Sequence, residues 1–310
     1  MMFMQATNHI LLIRPASFLF NKETAGSNAF QKDVDESEEE IKRKKLTEFD
    51  GVVQTLKGKG VSVMVVNDTD EPQKPDAIFP NNWVSFHEGG TVVLYPMCAP
   101  NRRTERRLDI IDLLKKHFEI TTIKDLSHFE QEGRFLEGTG SVLFDHLHKI
   151  AYACLSPRTD KQLFISLCDY LHYKPVYFTA IDDNGKEIYH TNVMMCVGEQ
   201  FTVVCLDTIK DDGEKQYVVQ SLTETGHTII DITPQQMKSF AGNMLSLKTN
   251  KGESILVLSQ SACDSLTPVQ KKEIEKYSAL VPLSINTIET MGGGSARCMI
   301  AEIFLKPIAP

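Results

Sequence analysis

The chain has 310 residues, 42% of them apolar and 24% charged, with a formal net charge of −8. That length buries a sizeable core without disulfide or metal staples. The acidic balance speaks against nucleic acid or an anionic membrane surface as partner. Met1 to Gln5 lacks the basic start of a signal peptide, and no run is long enough for a membrane helix. Seven cysteines without a Cys-x-x-Cys pair fit a reducing, cytoplasmic setting. His146-x-His148 stands without further ligands at zinc-site spacing, so neither a metal nor a cofactor is expected.

Along the chain, Ile10 to Ile13 reads as a short strand followed by Arg14-Pro15. The acidic run Asp35 to Glu40 then meets Lys42 to Lys45. Glu39 with Arg43 and Glu40 with Lys44 make i,i+4 pairs on a solvated helix. From there a repeat sets in. Phe79-Pro80-Asn81-Asn82, Tyr189-His190-Thr191-Asn192 and Phe240-Ala241-Gly242-Asn243 each place an asparagine three residues after an aromatic and before a strand-like run. Phe135 to Phe144 fits the same slot with a glycine-rich bulge, and Ser295 to Ile300 fits it with Cys298 in place of the asparagine. Asn192 lies 110 positions beyond Asn82, Asn243 lies 51 beyond Asn192, and Cys298 lies 55 beyond Asn243. A period of this size marks stacked or ring-like units.

Each unit continues with a turn, a β-rich run (91–95, 149–154, 201–206, 254–258), a helical stretch such as 106–118, and a last strand (119–123, 174–179, 227–232, 280–285). The order is β-β-α-β. The first unit lacks its opening strand, which the run Cys298 to Leu305 supplies from the other end. Five units closed on themselves in this way form an α/β ring of one domain, residues 1–310, with no exposed sheet edge.

Three consecutive glycines, Gly292 to Gly294, precede Cys298 and let the backbone approach a ligand closely. A lone cysteine is more often core than nucleophile. Here, however, Glu137, His190 and Cys298 occupy near-equivalent slots of different units, so a ring brings them to one end of its channel. Thiolate, proton carrier and orienting carboxylate are what nucleophilic catalysis needs. Arg297 is expected to help lower the thiol pKa.

Phe135-Leu136-Glu137-Gly138, Tyr189-His190-Thr191-Asn192, Leu155-Ser156-Pro157-Arg158-Thr159-Asp160 and Gly292 to Cys298 resemble the guanidine-modifying pentein superfamily. That superfamily holds amidinotransferases, arginine deiminases and dimethylarginine dimethylaminohydrolases. Phe79 to Trp83 and the segment from Asn21 to Gln31 resemble its citrulline-hydrolase-type branch. The resemblance spans nearly the whole chain. It implies a five-bladed α/β-propeller and a cofactor-free enzyme with Cys298 as nucleophile, His190 as general acid/base and Glu137 as its partner. It also implies that Asp76 grips the substrate and that Arg102 and Arg158 hold an amino-acid carboxylate. With Asn101 as cap of the following helix, Arg102 would face the unfavourable positive end of its dipole.

The dimethylarginine hydrolases carry an acidic pair where this chain has Asn81-Asn82. A guanidinium offers only donors and positive charge, whereas a ureido group adds a carbonyl acceptor that an asparagine amide complements. The expected substrate is therefore a small ureido or guanidino amino acid, citrulline first. An amidinotransferase, an arginine or methylarginine hydrolase, and a non-catalytic binding protein on the same ring remain the alternatives. The oligomeric state stays open, a homodimer included.

Overall fold

The computed structural model describes residues 4–17, 20–26, 28, 30–32 and 37–308. Met1 to Phe3, and Asp35 and Glu36 of the acidic run, lie outside the described residues. The elements run β1 (His9–Arg14), α1 (Lys22–Ala25), α2 (Glu38–Gly58), β2 (Ser62–Asn67), β3 (Val84–His87), β4 (Thr91–Leu94), α3 (Leu108–Leu114) and β5 (Thr122–Asp125). Next come α4 (Gly138–Ser141), β6 (Leu143–Asp145), β7 (Ile150–Cys154), α5 (Lys161–Leu171), β8 (Lys174–Phe178), α6 (Thr191–Met194), β9 (Met195–Val197), β10 (Phe201–Val204), α7 (Asp212–Glu224) and β11 (Thr228–Asp231). The chain closes with α8 (Pro234–Lys238), β12 (Leu245–Lys248), β13 (Ser254–Ser259), α9 (Gln260–Ser265), α10 (Pro268–Ile274), β14 (Ala279–Leu283), α11 (Asn286–Gly292) and β15 (Ala301–Glu302).

The strands form five three-stranded sheets: β15-β1-β2, β3-β4-β5, β6-β7-β8, β9-β10-β11 and β12-β13-β14. Within each, a tight turn makes the first pair antiparallel, as in Val84 opposite Leu94. A helical crossover makes the second pair parallel, as in Val92 beside Ile123. The first sheet takes its opening strand from the far end of the chain, with Ile10 opposite Glu302 and Leu11 opposite Ala301. β3, β6, β7, β9 and β10 are buried along their whole length, and β7 and β9 are accordingly apolar throughout, whereas Ser85, His87, Asp145 and Thr202 are polar side chains buried in β3, β6 and β10.

The helices cover these sheets with one apolar stripe each. In α2 the Ser37 side chain caps the Glu40 N–H, acidic Glu38 to Glu40 sit at the positive end, and Ile41, Phe49, Val52 and Leu56 are buried. Lys45 shares that buried face, and burial pushes its pKa down to about 7 against the pull of Asp76 and Glu48. Neighbouring sheets are tied by backbone and amide bonds: Lys248 N–H donates to the Thr7 carbonyl, Asn250 N–H to Gly60, and Gln5 Nε2 to Phe144 and Val197.

Short turns precede the opening strands, and they pack on one another. Gly138 has φ +47°, and a Cβ there would sit 2.1 Å from the Asn81 carbonyl oxygen. At Gly140 a Cβ would come within 2.5 Å of Asn82 Nδ2 and 2.8 Å of His190 Nδ1. Only glycine allows this approach, so the glycine-rich bulge seen in the sequence is what lets the turns of three units meet.

Three expectations need correction. The strand expected over 298–305 is confined to Ala301–Glu302, and Cys298 lies in the preceding turn, its N–H bonded to the Ser295 carbonyl. The helix expected over 106–118 is the shorter α3, Leu108–Leu114, and a 3-10 segment, Pro100–Glu105, precedes it. Arg106 is drawn away by Glu130 and the Tyr95 carbonyl. Asn101 caps no helix: Ala99 stands at that position, and the Asn101 amide bonds Asn21 instead. Among the described residues, no helix is long and apolar enough to cross a membrane.

Candidate active site

Cys298 is 7% exposed, and its sulfur lies against two side-chain amides, Asn243 Nδ2 at 3.3 Å and Asn192 Nδ2 at 3.5 Å. The Asn243 amide is oriented from behind: its Oδ1 accepts the Arg297 N–H at 3.1 Å, so its NH2 faces the sulfur. Donors on a thiolate favour the charged form. Arg297 does not serve that purpose. Its guanidinium turns away to the Ile300 carbonyl and to Glu302 Oε2 at 2.6 Å, which consumes the charge expected near the thiol.

Glu137 is fully buried at the entry of α4 and holds the second half of the site. Its Oε2 accepts from His190 Nε2 at 2.7 Å, with Arg158 Nη1 at 3.5 Å and Arg102 Nη1 at 4.0 Å. Its Oε1 accepts the Cys98 N–H at 2.9 Å. Burial alone would raise its pKa. Arg158, the His190 bond and Arg102 overcome that and hold the carboxyl well below the usual range. Burial pulls His190 down to about 4 despite Glu137, so near neutral pH the imidazole is uncharged. A carboxylate only accepts, so Nε2 carries the proton and Nδ1, on the side of Gly140 and Asn82, is the free base.

Asp76, Asn81, Asn82 and Arg102 surround this pair. Arg102 donates twice to Glu105, at 2.9 Å each, and once to Asn82 Oδ1 at 3.0 Å, with Asp76 Oδ2 at 3.6 Å. Burial, then the nearby carboxylates, push Glu105 up to about 7 despite Arg102. Asn21 donates to Asp76 Oδ2 at 2.7 Å. Five buried polar atoms in this neighbourhood have no hydrogen-bond partner among the described residues: Asp76 Oδ1, both amide atoms of Asn81, Asn82 Nδ2 and Asn192 Oδ1. Native proteins rarely leave such atoms unpaired.

Arg158 links the site to the surface. It stacks 4.9 Å over the Tyr189 ring, and both residues border an open cavity of about 950 Å³ whose other walls include Phe30, Phe240 and Thr290. That volume suits a small-molecule entrance. Cys298, His190 and Glu137 lie outside its walls, deeper in the molecule. The segment around α1 packs over the site: Asn28 Nδ2 bonds the Gly292 carbonyl and Lys32 N–H the Thr290 carbonyl.

Sequence reasoning thus marked Cys298, His190, Glu137, Asp76, Asn81, Asn82, Arg102 and Arg158, and all are buried in the fold. It missed Asn192 and Asn243 as neighbours of the sulfur, although they stand in the repeat slot of Cys298 itself. That shared slot was the available signal.

Folding stability should carry the imprint of this pair. His190 has its ordinary value of 6.5 when unfolded and about 4 when folded, so its contribution is complete above 6.5 and is lost as pH falls towards 4. Glu137, also depressed, adds a loss below its ordinary 4.5. Urea titrations between pH 7 and 4.5 should therefore show stability falling with acid. In His190→Gln the decline should be shallower by up to about 1.4 kcal/mol per pH unit. An unchanged slope would contradict the neutral buried imidazole.

A family model described as N,N dimethylarginine dimethylhydrolase, eukaryotic, matches residues 14–305. Among curated proteins, none matches the sequence. Among solved structures, the product-bound N-terminal domain of ArgZ, an arginine dihydrolase from the ornithine-ammonia cycle of cyanobacteria, is 18% identical. There the match covers 97% of this chain and 99% of that one, with a TM-score of 0.74. Apo ArgZ matches at 17% identity and TM-score 0.73 over 97% of this chain, which spans 41% of the ArgZ length. An adduct of dimethylarginine dimethylaminohydrolase with S-methyl-L-thiocitrulline matches at 11% identity and TM-score 0.64, covering 97% of this chain and all of the other (100%). At these identities the likeness is one of fold.

Proposed function

Since the chain belongs to the N,N dimethylarginine dimethylhydrolase family of the guanidine-modifying pentein superfamily, we propose that it hydrolyses the ureido group of an arginine-derived amino acid, citrulline first. On this reading the five sheets are the blades of a closed propeller, and one domain carries the whole site. Cys298 attacks the ureido carbon, and its proton passes through His190 to the departing amine of ornithine. The carbamoyl group left on sulfur is then hydrolysed by a water that His190 deprotonates, giving carbamate, which breaks down to carbon dioxide and ammonia. Glu137 holds the imidazolium that forms in between. Arg158, at the boundary of cavity and site, takes the substrate carboxylate, with Arg102 beside it.

The supporting observation is the set of unpaired buried atoms. Asp76 Oδ1, Asn81 Oδ1 and Asn192 Oδ1 are acceptors, while Asn81 Nδ2 and Asn82 Nδ2 are donors. A ureido group offers three N–H donors and one carbonyl oxygen with two lone pairs, the complement of that set. A guanidinium offers no acceptor and would leave the two amide donors unmet. The Asn82 orientation is not free, because its Oδ1 is held by Arg102, which only donates. Seven free cysteines support a reducing, cytoplasmic location. The Asp76 carboxylate favours a second reading, a guanidino substrate such as arginine or a methylated arginine, in line with the family description.

The deciding experiment measures the ammonia and amine products released from citrulline, arginine, methylated arginines and agmatine, with wild type and Asn82→Asp. The aspartate replaces a donor by negative charge, so citrulline turnover should drop by roughly 1–3 kcal/mol in kcat/KM while arginine is spared or improved. A wild type that prefers arginine, with a ratio the variant leaves unchanged, would overturn the ureido reading.

A further inference from the structure

At the far end of β6 from α4, three metal-ligating side chains meet that lie far apart in sequence. Asp145 closes β6, His148 stands in the turn to β7, and His227 precedes β11 of the next sheet. One ligand atom from each falls within a 4.8 Å cluster. His148 Nδ1 is 2.9 Å from Asp145 Oδ2, and His227 Nε2 is 3.9 Å from the same oxygen. Donors bound tetrahedrally at about 2.0 Å stand about 3.3 Å from one another. Both histidine nitrogens thus stand near that spacing from the shared carboxylate oxygen, and the widest pair, within 4.8 Å, must draw in by at most about 1.5 Å to close on a cation.

The chemistry of the surroundings agrees. The Asp145 and His227 side chains are each 1% exposed, whereas His148 is 35% exposed and gives a path from solvent. The other nitrogen of His227, Nδ1, lies 2.8 Å from Thr225 Oγ1, which can accept that N–H when Nε2 turns to a metal. The Nε2 contact given up is the 3.2 Å one to the Gly198 carbonyl. Two imidazoles and one carboxylate form a borderline donor set that leaves a fourth position for water.

We propose that Asp145, His148 and His227 form a zinc site that pins the third sheet to the fourth, remote from Cys298. Its effect is on stability, because a cation bound only by the folded chain stabilises by mass action.

The test uses the full chain carrying Cys298→Ser, so that no active-site thiolate competes, stripped with chelator and titrated with zinc chloride calorimetrically. One zinc per chain is expected, with a raised thermal midpoint and an X-ray absorption shell of nitrogen and oxygen at about 2.0–2.1 Å. In the same background His148→Ala, a change at an exposed turn, should weaken binding at least about tenfold and cancel the thermal shift. Circular dichroism checks that this variant is folded. The proposal is overturned by a parent that takes up no zinc, by a His148→Ala protein that binds as tightly as the parent, or by a sulfur shell at about 2.3 Å.

Discussion

Cys298→Ala is expected to lower turnover by roughly 10⁵-fold or more while leaving substrate binding within reach of calorimetry. The magnitude follows from the chemistry: without a thiolate no covalent intermediate forms, and only the binding groups remain. The fold should survive, because only one sulfur atom is removed, from a side chain that lies between the Asn192 and Asn243 amides and the apolar cluster around Phe79, Met299 and Ile300. The informative competitor is Cys98, half-buried and close enough to Glu137 and Arg158 to feel both. Burial and the Glu137 charge raise its pKa, which makes it the poorer nucleophile. If Cys298→Ala kept more than about a hundredth of the wild-type rate and Cys98→Ala did not, the nucleophile would have to be reassigned.

Glu137→Gln should cost about 10³–10⁴-fold in kcat, comparable to neutralising the acid of a catalytic triad. The glutamine can accept either the Cys98 N–H or the His190 Nε2–H, and its NH2 then faces the other donor. Relief comes from moving the imidazole proton to Nδ1, which blocks the base on the substrate side. Arg158 and Arg102 meanwhile keep their charges without the buried carboxylate between them, so stability should fall by about 3–5 kcal/mol. Denaturant midpoints and kcat measured on the same preparation separate the two effects. A well-folded variant within tenfold of wild type would remove Glu137 from the mechanism.

Much of this was legible in the chain because the repeat is physical. Asn82, Asn192, Asn243 and Cys298 recur where four of the five sheets begin, and the strands after them follow as apolar or alternating runs. The boundaries that failed did so for tertiary reasons. Arg102 to Arg107 look like the start of a helix, but Glu105, Glu130 and backbone carbonyls draw their guanidinium groups in several directions and leave a 3-10 segment. Arg297 seemed placed to charge the thiol until Glu302, five residues on, claimed it. The Asp145, His148 and His227 cluster had no spacing to betray it, since His227 comes from a different sheet than the Asp145–His148 turn.

The pairing of β1 with β15 also sets a timetable for the nascent protein. Leu11 must wait for Ala301, and at about 5–20 residues per second that interval is roughly 15–60 s of synthesis. Throughout it, one flank of β1 presents unpaired backbone amides and carbonyls, a template for pairing with other chains. This pairing is thus among the most non-local contacts of the described residues and forms late in synthesis, so a long period of vulnerability to aggregation falls before it.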